Sequence, residues 1–515
     1  MKSFRRVKTI NGQDYVYEIQ PYYDKKTKKT KQKTKYIGKY SGDLNNAKPV
    51  RNKQPKESLC YGEFILLFSI IKKLKLDTIL INILDKKDAE NILAIALNKI
   101  VFPLPLNVIE SWSEGTILSK EYIHKNLNIQ YLNNLLKRLN ADEIINKIQK
   151  EINKNSEKTE LKVIYDISKK YSFSNPKDIF EYDNNKPNKS EQKQINYFLV
   201  LDKKKNLPLM LEISTGSITD VETLKNIKQK VINLGNEKIL FIMNKRLFNA
   251  NNLEELVSKN QKNSFIISGV LTEKNIYKIL QSTDIEKESY IKTYNNKKIY
   301  VKKIVLKIGE QKINGYLYYD KKQADFEKNI FYKELHGIFE IINKKIKVSK
   351  KTIEELINEI GKKYSKYIKY DTIKKILNYN QKEIEKHLKI VGKVILLYNN
   401  INYDWYECLE EYEKKICIEE SFDFLKNDFD IDKKYICSDD TKKGYSLIQF
   451  ISLIIKMRLQ KELSNSKLLS NNNSIKKIMI ELSKIYKVYY EKEKYYITEL
   501  TEKQNDILKV LNLCK

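Results

Sequence analysis

The sequence predicts a multidomain chain of the α/β class, more fully α+β, in which a helical region precedes a strand-rich core. Three observations carry this. The length of 515 residues is enough for two to four domains with cores of their own. Apolar spacing is helical through residues 57–158 and changes at 161 to short strand-like runs. Between 161 and 268 three strand runs precede a helix and another strand. A crossover helix in that position returns the chain parallel to an earlier strand.

Residues 1–52 read as a small β segment: DYVYEIQPYY (14–23), the basic turn DKKTKKTKQKTK (24–35) and YIGKY (36–40). Lys25, Lys26, Lys28, Lys29, Lys31, Lys33 and Lys35 make this turn a candidate DNA-contacting arm, although a solvated loop has the same composition. Residues 53–158 form a helical region, expected to serve DNA binding or assembly, as in GEFILLFSIIKKLKL, AENILAIALNKIVF and IQYLNNLLKRLN; Pro103 and Pro105 interrupt it.

The first part of the core spans 159–270. LKVIYDIS (161–168) is a strand with Asp166 near its end, followed by a polar loop to about 193. NYFLVLD (196–202) and LPLMLEIS (207–214) form a hairpin through the KKKN turn. Thr219-Asp220-Val221-Glu222 is a capping box for the helix ETLKNIKQKVINLG. KILFIMN (238–244) is a buried-type strand ending at Asn244, and NNLEELVSK and SFIISG follow as helix and strand. If the crossover pairs this strand with the one bearing Asp166, positions 166 and 244 become neighbours.

Residues 271–390 mix strands (KKIYVKKIVLKI, INGYLYYD) with helices (KNIFYKELHGIFEIINKKI, TIEELINEIGKKY) and read as an insertion. The core resumes over 391–465, with the strand VGKVILLYN and the apolar helix SLIQFISLIIKMRLQKEL. Residues 466–515 suggest a helix, a Tyr-rich hairpin and a closing helix.

Lys and Arg number 97 against 66 Asp and Glu, a formal net charge of +31. That balance favours a polyanionic partner, nucleic acid first, while AT-rich coding also enriches Lys, Asn, Ile and Tyr. With 41% hydrophobic and 32% charged residues, the chain has the composition of a folded protein rather than a disordered one. No apolar run approaches the ~18 residues of a membrane span, and MKSFRRVKTINGQDY lacks the apolar stretch of a secretory signal. The five cysteines, Cys60, Cys408, Cys417, Cys437 and Cys514, have no CxxC spacing and read as reduced cytoplasmic thiols. His124, His336 and His387 are isolated, which argues against a histidine-based metal site or triad.

The chemistry-bearing stretch is YEKKICIEESFDFLK (412–426). On a continuous helix Tyr412, Lys415, Glu419 and Lys426 fall in a stripe roughly 60° wide, with Ile418, Phe422 and Leu425 mostly behind it. A carboxylate flanked by lysines suits a metal-bound phosphodiester: Glu419 on the metal, the cations on phosphate oxygens. A surface helix with charge pairs four residues apart would look similar.

In order along nearly the whole chain, these segments resemble the DDE transposases of bacterial insertion sequences, in the branch with a Y-x2-R-x3-E-x6-K signature and an insert in the core. VIYDIS resembles the first-aspartate strand, STGSITDVETL the stretch before the first core helix, and LFIMNKRLFNANNLEEL the second-aspartate segment. YEKKICIEESFDFLK carries the signature with Lys415 in place of Arg, and GYSLIQFISLIIKMRL resembles the helix after it.

The resemblance implies a ribonuclease-H-like mixed-sheet core in which two aspartates and a glutamate hold two Mg²⁺ ions, with Mn²⁺ as substitute. Mg²⁺ prefers hard carboxylate oxygens, and a metal pair activates a water or 3′-hydroxyl for in-line displacement. By this correspondence Asp166 and Glu419 are metal ligands, with Asn244 at the second acidic position, and Tyr412, Lys415 and Lys426 contact DNA. The implied partner is double-stranded DNA, as terminal inverted repeats and target, bound by a homodimer. The implied setting is the bacterial cytoplasm and nucleoid, with no membrane.

One departure cuts across this. The second aspartate's position holds Asn244, and the usual Arg-Gly after it has become Lys245-Arg246-Leu247. A neutral carboxamide oxygen is a weaker Mg²⁺ ligand than a carboxylate. The expectation is therefore a transposase with impaired cleavage. The alternative is an inactive DNA-binding relic or a repressor of transposition.

Overall fold

The computed structural model describes residues 3–513 apart from 11, 26, 45–54, 123–126, 155–159, 173–192, 216–219, 234–237, 258–262, 309–310, 347–351, 353–354, 358, 360–362, 372–375, 400, 433–437, 467, 469–473 and 491–494. Lys26, His124, Thr219 with its capping box, Cys437 and Cys514 lie outside the described residues.

An antiparallel N-terminal sheet contains β1 (Phe4–Ile10), β2 (Gln13–Asp24) and β3 (Lys29–Lys39) in that order. Short β4 (Glu57–Cys60) follows, and from there to residue 153 the described chain is helical between turns. The central sheet opens with β5 (Leu161–Ser172), β6 (Lys193–Asp202) and β7 (Leu207–Thr215), then β8 (Ile239–Met243) and β9 (Ser264–Ser268). The insert adds β10 (Tyr290–Tyr294), β11 (Lys297–Ile308) and β12 (Gln311–Tyr319) to the same sheet, while β13 (Ile368–Asp371) and β14 (Ile376–Tyr379) pair apart from it. β15 (Lys393–Asn399) completes a nine-stranded order, β10-β11-β12-β15-β9-β8-β5-β6-β7. Lastly β16 (Tyr486–Tyr489) and β17 (Tyr495–Ile497) form a hairpin whose β16 pairs antiparallel with β4.

The central sheet is mixed. β5, β8 and β9 are parallel, whereas β6 and β7 on one side and β15 on the other run antiparallel to their neighbours. Every residue of β8 and β9 is buried, as strands covered on both faces require. Strand alternation divides the flanking cores. Val163, Tyr165 and Ile167 of β5 join Leu224, Leu253 and Ile276 from helices on one face. Ile164 joins the opposite core, with Ile418, Phe422 and Ile451. Asp166 therefore faces the layer that holds the signature segment.

That layer is organised by the helix Asp439–Asn465, opened by a capping box between Ser438 and Thr441. Tyr445, Ile448, Phe450, Ile451, Ile454 and Ile455 along it are fully buried. A Cβ on Gly444 would lie 2.0 Å from the Leu136 carbonyl oxygen, so only glycine lets this helix approach Ile129–Arg138 so closely. Buried Lys99, from the N-terminal helical region, reaches into the same layer. Its ammonium bonds Asp432 and the Leu104 carbonyl (2.7 Å), while Tyr445 Oη donates to Asp428 (2.8 Å) and Asp432 (2.6 Å). The signature segment is thus tied to the helical region through a buried ionic cluster.

The expected mix of helices and strands is observed as a mixed sheet between helical layers. Three details differ from expectation. The basic stretch 24–35 turns only at its start and runs as strand from Lys29, because it pairs with β2. β5 continues to Ser172, so Asp166 sits mid-strand, just past the stretch Leu161–Tyr165 that pairs with β8. Part of the insert, β10–β12, extends the central sheet instead of standing outside it. Among the described residues no single helix is long and apolar enough to cross a membrane.

Candidate functional site

Parallel pairing of β5 with β8 sets Asp166 beside the residue that follows β8. Asn244 Nδ2 donates to Asp166 Oδ2 at 3.1 Å, and the Ile167 amide donates to Asp166 Oδ1 at 2.8 Å. Asp166 is 4% exposed. Burial raises its pKa above the ordinary aspartate value, opposed by the bonds from Asn244 and Ile167 and by the nearby charges of Arg246 and Lys415. Arg246 is held in place by a 2.9 Å bond from Nη1 to the Ile167 carbonyl. The Lys245-Arg246-Leu247 stretch, a departure from Arg-Gly by sequence, is not only a loss. Arg246 supplies a cation at the site, and Leu247 fills the core at 0% exposure.

The signature motif differs from the continuous stripe. One helix ends at Glu413 and the next starts at Ile416, so Tyr412 and Glu419 belong to different helices. Tyr412 is buried among apolar side chains, not displayed on a polar ridge. The break nonetheless gathers the motif. Lys415 Nζ donates to Tyr412 Oη at 3.0 Å, lies 4.5 Å from the Tyr412 ring centroid, and is 3.7 Å from Glu419 Oε1. Lys415 is thus paired with Glu419, and its charge also acts on Asp166. Glu419 is mostly exposed, while Ile418, Phe422 and Leu425 are buried as the spacing predicts. Lys426, seven residues on from Glu419, lies on the same helix face and is half-buried.

The lysines expected to form a DNA-contacting arm are elsewhere. Lys25 and Lys28 are exposed at the β2–β3 turn, and Lys29, Lys31, Lys33 and Lys35 are exposed along β3. Two-residue spacing puts those four on one face. Lys31 pairs with Asp24 at 2.6 Å, and Lys33 Nζ lies 5.5 Å from the Tyr22 ring centroid. Among the described residues this sheet shares no strand pairing with the central one.

The donor set does not fit a pair of Mg²⁺ ions as it stands. Asn244 Oδ1 already accepts the Lys245 amide at 2.8 Å, and its amino group points at Asp166. Turning the carboxamide over would set oxygen against carboxylate and NH₂ against N–H, so the partners fix its orientation. Asp202 offers no replacement. It pairs with Val163, three residues back along β5, about 10 Å away at strand rise, and caps the Lys205 amide at 2.9 Å. Asp220 opens a helix, and its side chain lies outside the described residues. Among the described residues no three His, Cys, Asp or Glu side chains gather around a common point for a metal.

No known protein family matches the chain, and no curated protein matches it. Among solved structures, a cryo-EM structure of a piggyBac transposase synaptic complex with hairpin DNA aligns with TM-score 0.34 and 9% identity, over 82% of this chain and 79% of that one.

Proposed function

We propose that this chain is a DNA-binding protein of the DDE-transposase class, with a ribonuclease-H-like core whose metal centre is one carboxylate short. The observation that carries the reading is the Asp166–Asn244 hydrogen bond across parallel strands, flanked by Lys415 and Glu419. A DDE core needs its first and second acidic positions on adjacent strands and its glutamate on a helix packed over them, and the order of segments here supports that. Lys415 and Arg246 provide cations beside Asp166, charges that suit a phosphodiester of a DNA backbone. Asn244 adds no negative charge and donates a hydrogen bond to Asp166, so with Arg246 and Lys415 nearby the site is satisfied without a metal ion. The protein accordingly binds and positions DNA ends, and cleaves them slowly or not at all.

The test uses duplex DNA carrying the sequences that flank the gene, with Mg²⁺ or Mn²⁺. The wild type should bind and leave the strands intact. Asn244→Asp should nick them in a metal-dependent way, and adding Glu419→Gln should abolish the nicking. If Asn244→Asp binds DNA and metal yet does not cut, the chain is a DNA-binding relic or repressor with further damage. Efficient cutting by the wild type, unaffected by Asn244→Ala, would refute the placement of the second ligand.

A further inference from the structure

The insert helix Lys321–Ile346 is 26 residues long. One side is well packed, with Ala324, Phe331, Leu335 and Ile342 buried. The opposite side has large apolar groups in solvent: Phe326 is 60% exposed, Ile330 41% and Ile341 47%. Midway along that side sits Gly337, where an added Cβ would meet nothing within 4 Å. Glycine is a poor helix former, and among the described residues no neighbour explains its use there.

Phe326, Ile330, Lys333, Gly337, Glu340 and Lys344 follow one another at alternating steps of four and three. This is the spacing of a seam between two paired helices. Its charges select an orientation. A parallel pair in register sets Lys333 against Lys333 and Glu340 against Glu340. An antiparallel pair centred on Gly337 sets Lys333 against Glu340 of the partner subunit, and by symmetry does so twice. In the same arrangement Ile330 meets the methylene stem of the partner's Lys344, whose ammonium stays in solvent. The glycine removes the side chain at the crossing, where the backbones come closest.

We infer that this helix is a self-association surface: it pairs antiparallel with the same helix of a second copy of this chain, crossing at Gly337. The contact is isologous and closes as a two-fold dimer. It needs no DNA and does not depend on the chemistry at Asp166.

The experiment is sedimentation velocity on the full chain without DNA. The wild type should be dimeric. Lys333→Glu alone and Glu340→Lys alone should each give monomers, because each sets like charges opposite one another. The double variant K333E/E340K should be dimeric again. Lys333 is exposed and Glu340 half-buried, with neither in the core, so circular dichroism should be unchanged. As a second readout, Gly337→Cys should form a reducible disulfide-linked dimer under mild oxidation, with the wild type as control for the native cysteines. A wild type that stays monomeric at every attainable concentration would overturn the inference. So would a dimer indifferent to both single charge reversals, which would place self-association, or a heterologous partner of this helix, elsewhere.

Discussion

Asn244 and Asp428 show how differently two polar residues near one layer are accommodated. Asn244 bridges Asp166 and the Lys245 amide, so both ends of its carboxamide are used. Asp428 is ionisable and 2% exposed, in contact with Tyr445, Gln449 and Lys99. Burial, partly offset by the Lys99 charge and the Tyr445 hydroxyl, raises its pKa from 3.8 to about 6. A carboxyl raised in the folded state holds its proton longer there than in the unfolded chain. Its contribution to stability therefore falls as pH rises through that window. Asp428→Asn should match the wild type in acid and gain on it between about pH 4 and pH 6, by on the order of 1–3 kcal/mol. Denaturant unfolding at several pH values checks this, and a pH-independent difference would contradict it. The sequence marked Asp166 and Asn244 through strand runs and spacing. It gave no sign of Lys99, because a lysine in an apolar helix reads as a surface residue until its distant carboxylates are known.

At the scale of elements, the local pattern identified most strands and helices but not how they end or pair. The stripe through Tyr412, Lys415, Glu419 and Lys426 assumed an unbroken helix, and a two-residue turn at Lys414–Lys415 moved Tyr412 into the core. Pairing of β4 with β16 joins residues more than four hundred positions apart, which no local periodicity can reveal. Close approach of helices is also invisible in composition. Gly444→Ala should force the helix Asp439–Asn465 away from Ile129–Arg138 and cost about 1–3 kcal/mol, as overpacking does. An unchanged melting temperature would mean that the contact at Leu136 relaxes freely. The arm on β3 is legible in sequence as charge, and its one-sided array emerges from strand alternation. Replacing Lys29, Lys31, Lys33 and Lys35 with Gln should reduce the slope of log K against log salt by up to about 0.9 per lost phosphate contact. An unaltered slope would assign the lysines to composition alone.

Across the whole molecule, a +31 chain carries two separate basic features, the β3 arm and the Arg246–Lys415 pair beside Asp166. The segment order that suggested a transposase core is the order that brings positions 166 and 244 together and folds the Glu419 helix over the same face of the sheet. On the proposed reading, what the site lacks is negative charge, a property of Asp166, Asn244 and Glu419 taken together. The decisive measurement is thermal unfolding of the wild type, Asn244→Asp and Asn244→Asp/Glu419→Gln across a Mg²⁺ titration at constant ionic strength. Without metal, Asn244→Asp should be less stable than the wild type, because the carboxylates repel and the bond to Asp166 is lost. Added Mg²⁺ should raise its melting temperature by binding the native state selectively, with no such rise in the wild type or in the double variant. A wild type stabilised by Mg²⁺ as strongly as Asn244→Asp, and losing that response on Asn244→Ala, would contradict the account by making Asn244 a working ligand.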